Sequence, residues 1–156
     1  PLAELQAAFD YDPETGLFEH ARNKGTAIKK GQPAGSWTGA GYSILRLNKR
    51  ALYGHRVAWF LVTSVDPVDY EIDHIDRDRS NNSFENLRLA ERAQNQWNTC
   101  SGRGWSMTPA GMHRARIVID NKPMHIGCFL KVEEAERSYR EKAIELRGEF
   151  APQEWT

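Results

Sequence analysis

The stretch EIDHIDRDRSNNSFENLRLAERAQNQWN, residues 71 to 98, narrows what this chain can fold into more than any other. EIDHI reads as a short strand, DRDRSNNSFEN as a polar loop, LRLA as a second strand and ERAQNQWN as a helix. That order sets Asp73 and His74 at the end of the first strand. Asn86 closes the loop, and Asn95 lies on the helix, one turn in from Glu91. Turns account for some of the asparagines and a solvated helix for some of the charges. They do not account for all of them.

The residue types fit one chemistry. An Asp carboxylate and an Asn carboxamide are hard oxygen ligands, and two of them leave most positions of an octahedral Mg²⁺ or Mn²⁺ to water and phosphate oxygens. A neutral His beside such an ion can take a proton from water attacking phosphorus, while the ion stabilises charge on the phosphate and the leaving 3′ oxygen. The plain alternative is that Asp73, Asn86 and Asn95 are turn and cap residues.

At 156 residues the chain can bury one core, or one core and a small satellite. Its longest apolar run, AWFLV at 58 to 62, is too short to span a bilayer, and PLAELQAAF has no basic, signal-like start. An intracellular, cytoplasmic protein is expected, with no membrane partner. Cys100 and Cys128 form no CxxC pair, so neither a zinc ribbon nor a disulfide framework is expected.

The formal net charge is zero, but its distribution is uneven. From Arg22 to Arg56 the chain carries Arg22, Lys24, Lys29, Lys30, Arg46, Lys49, Arg50 and Arg56, and no acid. Phosphate contacts depend on the local patch rather than on the sum, so a basic face is compatible with neutrality. A solvated lysine-rich loop is the alternative.

Along the chain, residues 2–9 read as a short amphipathic helix, DYDPETG as a turn and LFEH as the start of a strand. A Gly- and Lys-rich loop follows, with a short strand near Gly35 to Thr38. GYSILRLN and ALYGH form a basic hairpin through NKR, and HRVAWFLVTS is a helix. TCSGRG reads as a linker at about 99–104, which gives units 1–99 and 100–156. HRARIVID and KPMHIGCF make a hairpin around DNK. VEEAERSYREKAIELRGEF is a helix ending at Gly148, where glycine commonly caps.

Residues 71–98 resemble the HNH nuclease motif, the β-β-α-metal site, in the form found in phage and intron-associated homing endonucleases. The resemblance rests on the Asp73–His74 pair, on Asn86 twelve residues after His74, on Asn95 twenty-one after it, and on the text HRVAWFLVTS and AQNQWN. It implies His74 as general base, Asp73 and Asn95 as ligands of one divalent ion, and Asn86 as the residue that holds the loop and orients His74. The third motif position is Asn rather than His, as in the one-metal homing type. Arg77, Arg79 and Arg88 are candidates to hold phosphate bidentately. Asp76 and Asp78 read as solvated loop residues. His55 reads as a capping or packing residue, with phosphate contact the alternative.

Residues 103–152 resemble the Apetala-two/ethylene-response-factor type of DNA-binding domain, on GWS, GMHRARIVIDNK, HIGCF and the final helix. That family packs a three-stranded antiparallel sheet on one helix and lays the sheet in the major groove. Arg114 and Arg116 alternate with Ala115 and Ile117, so they share the strand's outer face. Arg103, Trp105, Lys122 and His125 are expected to join them, and Ala135, Tyr139, Ala143 and Leu146 to form the helical stripe beneath. Met107 and His113 replace aromatic residues of that family, and the turn TPAG is short.

The expected architecture is therefore α+β: a β-hairpin region leading into a β-β-α-metal unit, then a small sheet on one helix. The function it implies is a metal-dependent homing-type endonuclease that nicks one strand of double-stranded DNA as a monomer. It would use Mg²⁺ or Mn²⁺ and no zinc, and no protein partner is evident. The basic residues Lys29, Lys30, Arg46, Lys49 and Arg50 would help to hold the duplex. A non-catalytic DNA-binding or regulatory protein built on a decayed nuclease is the competing class. Intact Asp73, His74, Asn86 and Asn95 favour the enzyme.

Overall fold

A computed structural model describes residues 2–98 and 103–155. By packing, the chain divides into Pro1–Ala90 and Glu91–Thr156. The sequence places the boundary at 99/100, and most of its proposed linker lies outside the described residues. Both units mix helices and strands, so the fold class is α+β as expected.

In the first unit, helix α1 (Leu2–Ala8) runs directly into strand β1 (Phe9–Tyr11), which pairs antiparallel with β2 (Phe18–His20). The sequence reading ended the helix at residue 9 and had no strand there. A second sheet has the order β3 (Ser36–Trp37), β4 (Ser43–Leu47), β5 (Arg50–Tyr53). Its β4–β5 hairpin turns on Asn48 and Lys49, both at positive φ (48° and 66°). Two-residue hairpin loops require that conformation, and Asn tolerates it best after Gly. Helix α2 (Gly54–Thr63) follows at once, then β6 (Glu71–His74) and β7 (Leu87–Ala90), an antiparallel pair with a short 3-10 turn, Phe84–Asn86, before β7.

One core ties these pieces together. Leu5, Phe9, Phe18, Leu45, Val57, Ala58, Ile72 and Leu87 are all buried in it, so α1, three sheets and α2 meet at one cluster. The consequence for the site is that β6 and the start of α2 are fixed by the same packing.

The second unit begins with α3 (Arg92–Trp97), closed by a reciprocal cap: the Glu91 side chain accepts from the helix backbone, and Gln94 Oε1 accepts from the Glu91 amide at 2.8 Å. A meander of β8 (Trp105–Met107), β9 (His113–Ile119) and β10 (Lys122–Phe129) then packs on α4 (Val132–Arg147). The β9–β10 turn uses Asp120 and Asn121 at φ 51° and 60°, and α4 stops at Gly148, φ 55°. Ala115, Ile117, Ala135, Tyr139 and Ala143 are buried between sheet and helix, with Leu146 packed beside them. The helical stripe is as read from the sequence.

Arg114, Arg116 and Val118 are exposed on the opposite face of β9, and His125 stands directly across from Arg116. Trp105 does not join them. It stands opposite Ala115, half-buried against the core, and its Nε1 donates to Glu136 Oε1 on α4 at 3.3 Å. A large ring over a small Ala fills the space beside the helix, which corrects its assignment to the outer face. Exposed Arg103 lies over that ring, its guanidinium carbon 5.9 Å from the centroid. Lys122 is exposed at the hairpin tip opposite Ile119. Cys128 is a free, exposed thiol, and Cys100 lies outside the described residues. Among the described residues no helix is long and apolar enough to cross a membrane.

Candidate active site

In the β6–β7 register Asp73 faces Arg88 and His74 faces Leu87. Both Asp73 and His74 are 5% exposed. Arg88 turns its guanidinium onto Asp73, with Nε and Nη2 donating to Oδ2 at 2.9 and 2.7 Å. Arg88 was expected as a phosphate hand; here its charge is spent on the carboxylate.

The loop after β6 is held by its own side chains. Asn86 Oδ1 accepts from the Asp76 amide at 3.0 Å, and its Nδ2 donates to Asp76 Oδ1 at 2.9 Å and to the Asn81 carbonyl at 2.8 Å. The Asn86 carbonyl accepts from the Ile75 amide at 2.9 Å. Asp78 Oδ1 accepts from the amide and hydroxyl of Ser80, which holds its carboxyl below the usual range. Asn86 thus bonds to Ile75, Asp76 and Asn81 of this loop. The direct contact to the histidine comes from Asn82, 1% exposed, whose Oδ1 lies 3.2 Å from His74 Nε2.

A carboxamide oxygen only accepts, so that contact puts the proton on His74 Nε2 and leaves the lone pair on Nδ1. Burial is the main cause that pushes the His74 pKa below the ordinary histidine value, against the opposing pull of Asn82, Asp76, Asp73 and Asp78. The ring is therefore neutral at pH 7, the state a base requires.

Asn82 is in turn positioned by the N-terminal hairpin. Its carbonyl accepts from the Tyr11 hydroxyl at 2.7 Å, and the Phe84 amide donates to the Pro13 carbonyl at 2.8 Å. Gly16, at φ 72°, sits against the same backbone: a Cβ there would lie 2.3 Å from the Asn82 carbonyl carbon and the Ser83 nitrogen. Gly16→Ala combines left-handed strain with a backbone clash, and should destabilise the protein by about 2–4 kcal/mol. Urea unfolding midpoints check this, and an unchanged midpoint would mean that the hairpin does not press on the loop as described.

A wall of rings completes the site. His55, 8% exposed at the start of α2, lies edge-on to His74 with ring centroids 5.2 Å apart and stacks on Tyr53 at 5.4 Å. Tyr42 contacts both histidines, at 5.5 and 6.3 Å. The Arg79 guanidinium carbon lies 4.8 Å above the Tyr42 ring. Burial, with His74 and Arg56 nearby, pushes the His55 pKa down to about 3. Between about pH 6.5 and 3 the unfolded chain binds a proton at this position that the folded chain refuses. Stability should then fall on acidification by about 1.4 kcal/mol per pH unit across that window. Denaturation curves at pH 7 and 5 test this, and His55→Phe should remove its share of the slope.

Lys29, Lys30, Arg46, Lys49, Arg50, Arg77 and Arg79 are all exposed, as a duplex-holding surface requires. Asn95 is half-exposed on α3, in the second unit. Its carboxamide and the Asp73 carboxylate are oxygen donors of the type Mg²⁺ and Mn²⁺ take. Among the described residues no three His, Cys, Asp or Glu side chains gather around a common point.

The site is thus a buried histidine at a strand end, contacted by a carboxamide inside an Asn-laced loop between two antiparallel strands. The HNH endonuclease family model matches residues 52–97, which begin in β5 and end with α3. The chain is 33% identical over 101 residues to a protein of Acanthamoeba polyphaga mimivirus described as an uncharacterized HNH endonuclease; the match covers 62% of this chain and 54% of that protein. It is 30% identical over 106 residues to Protein 3.8 of Escherichia phage T7, covering 62% of this chain and 86% of that one. Residues 52–97 therefore carry an HNH endonuclease family domain. The chain spans about half the length of its mimivirus relative. No solved structure matches it significantly.

Proposed function

We propose that the chain hydrolyses phosphodiester bonds in double-stranded DNA, with His74 as general base. The observation that supports this is the His74–Asn82 contact, a carboxamide oxygen on Nε2, which favours the tautomer whose Nδ1 carries the lone pair. Water is then deprotonated by Nδ1 as its oxygen attacks phosphorus, and the 3′ oxygen leaves. A divalent ion, Mg²⁺ or Mn²⁺, when bound by Asp73 and Asn95, supplies positive charge at the phosphate and the departing oxygen. Arg88 keeps the Asp73 carboxylate oriented, and Asn86 ties Asp76 to the Asn81 carbonyl next to Asn82.

The exposed cations of the first unit, from Lys29 to Arg79, meet phosphates. We read the second unit as a groove-reading sheet of the Apetala-two/ERF type. Arg114, Arg116 and His125 sit on one exposed face, and Arg is the commonest reader of guanine edges. One nuclease site handles one phosphodiester, and two unlike DNA-binding regions in a single chain suit an asymmetric monomer of the homing type. A supercoiled plasmid should therefore give nicked circles before any linear form. Linear product with no nicked precursor contradicts the monomer.

One observation favours a non-catalytic DNA-binding protein instead. The Asp73 charge is already matched by Arg88 at 2.7 Å, which opposes capture of a cation. Cleavage against binding alone decides between the two.

A further inference from the structure

We propose that His55 is a second functional histidine of this site, its ring N–H bonding a non-bridging oxygen of the phosphodiester presented to His74. The inference rests on the nuclease reading above. Its ground is an unmatched polar group. His55 is 8% exposed, its Nδ1 is buried without a hydrogen-bond partner, and no bond to its other nitrogen is found among the described residues. A neutral imidazole carries one donor and one acceptor, so Nδ1 is left unmatched whether it holds the proton or the lone pair, and Nε2, which is not closed off in the same way, is the nitrogen open to a ligand. Buried polar groups are rarely left so without a reason. Packing supplies none, because a Phe would fill the place between Tyr42, Tyr53 and His74 with no polar group to desolvate.

The position points to substrate. With imidazole centroids 5.2 Å apart, His55 and His74 can reach a phosphate oxygen and the attacking water of the same phosphodiester, given hydrogen bonds of about 2.7–3.2 Å. The charge points to an anion. Arg79 lies over Tyr42 and can meet it beside the acids Asp73, Asp76 and Asp78 that act on His74, whereas Arg56 is engaged by Asp66 and by the Pro67 and Tyr70 carbonyls. Burial keeps the His55 ring neutral through the working pH range, so it remains a donor and adds no charge against His74 when that ring takes its proton.

Two readouts test this. His55→Phe keeps an aromatic ring in the wall and removes both nitrogens. It should fold, hold duplex DNA and lose roughly ten- to a hundredfold in single-turnover cleavage, as expected for one lost bond to a charged oxygen. His55→Gln, which restores a donor, should recover part of the rate. Separately, the ¹⁵N resonances of the His55 ring in the unaltered protein should move on adding a short duplex with Ca²⁺ in place of the active ion. Wild-type rates in His55→Phe, or ring resonances that duplex leaves unmoved, overturn the proposal. If the unaltered protein never cleaves but the ring resonances still move, the nuclease reading fails and the phosphate contact stands. If His55→Phe does not fold, the ring resonances decide alone.

Discussion

His74→Ala is expected to lower single-turnover cleavage of duplex DNA by about 10²–10⁴-fold, the usual contribution of a general base. Duplex affinity should change little, because the ring is buried and is not one of the exposed cations proposed to meet phosphate. Asp73→Ala should also abolish cleavage, since it removes the charged ligand proposed for the ion. The two losses differ in their effect on stability. Asp73→Ala takes the carboxylate away from the Arg88 guanidinium, whose side chain is 11% exposed, and breaking a buried pair on one side costs about 3–5 kcal/mol. Chemical denaturation must therefore accompany the rate measurement for Asp73. Cleavage at the unaltered rate in folded His74→Ala would refute the assignment of the base.

Replacing Arg114 and Arg116 together with Ala should raise the dissociation constant for duplex DNA by roughly one to three orders of magnitude. Both side chains project from the outer face of β9, while Ala115 and Ile117 anchor the strand to α4. Neither pairs with an acid among the described residues, so their loss should leave the fold intact. A bidentate base contact contributes about 1–3 kcal/mol of discrimination, and a phosphate contact a salt slope of about −0.9, at about 1.4 kcal/mol per tenfold in affinity. Titrations at two salt concentrations separate the roles: base contacts cost discrimination between target and random DNA, phosphate contacts flatten the salt dependence. Cleavage at saturating protein should hardly change. Unchanged affinity would mean that this face does not read DNA.

The elements that the sequence made legible are those with strong local signals. Period-two alternation in HRARIVI and the Asn–Lys and Asp–Asn turns located the hairpins, and the Ala135–Tyr139–Ala143 stripe with Gly148 bounded α4. The strand β1 was missed because three residues after a helix give no period to detect. Trp105 was put on the wrong face because a three-residue strand has too little alternation to fix its parity; only its pairing with Ala115 does.

At the site, Asp73, His74 and Asn86 are close in sequence and their places were readable. Asn82 was not, and His55 was read only as a helix-opening residue that caps, packs or meets phosphate, without its place beside His74. In SNNSFEN nothing local separates Asn82, which meets His74, from Asn81, which caps Ser83. The His55–His74 contact joins residues 19 apart through the packing of α2 on β6, and no short-range pattern encodes it. The Asp73–Arg88 pair follows from a cross-strand register that the sequence suggested only as two strands.

The most direct measurement takes supercoiled plasmid and the purified protein with Mg²⁺, with Mn²⁺ and with a chelator, and follows binding alongside product. Binding in all three with strand cleavage only where an ion is present is the expected result. Tight binding with intact plasmid in both metals would contradict the nuclease account and leave a DNA-binding protein on an inactive HNH scaffold.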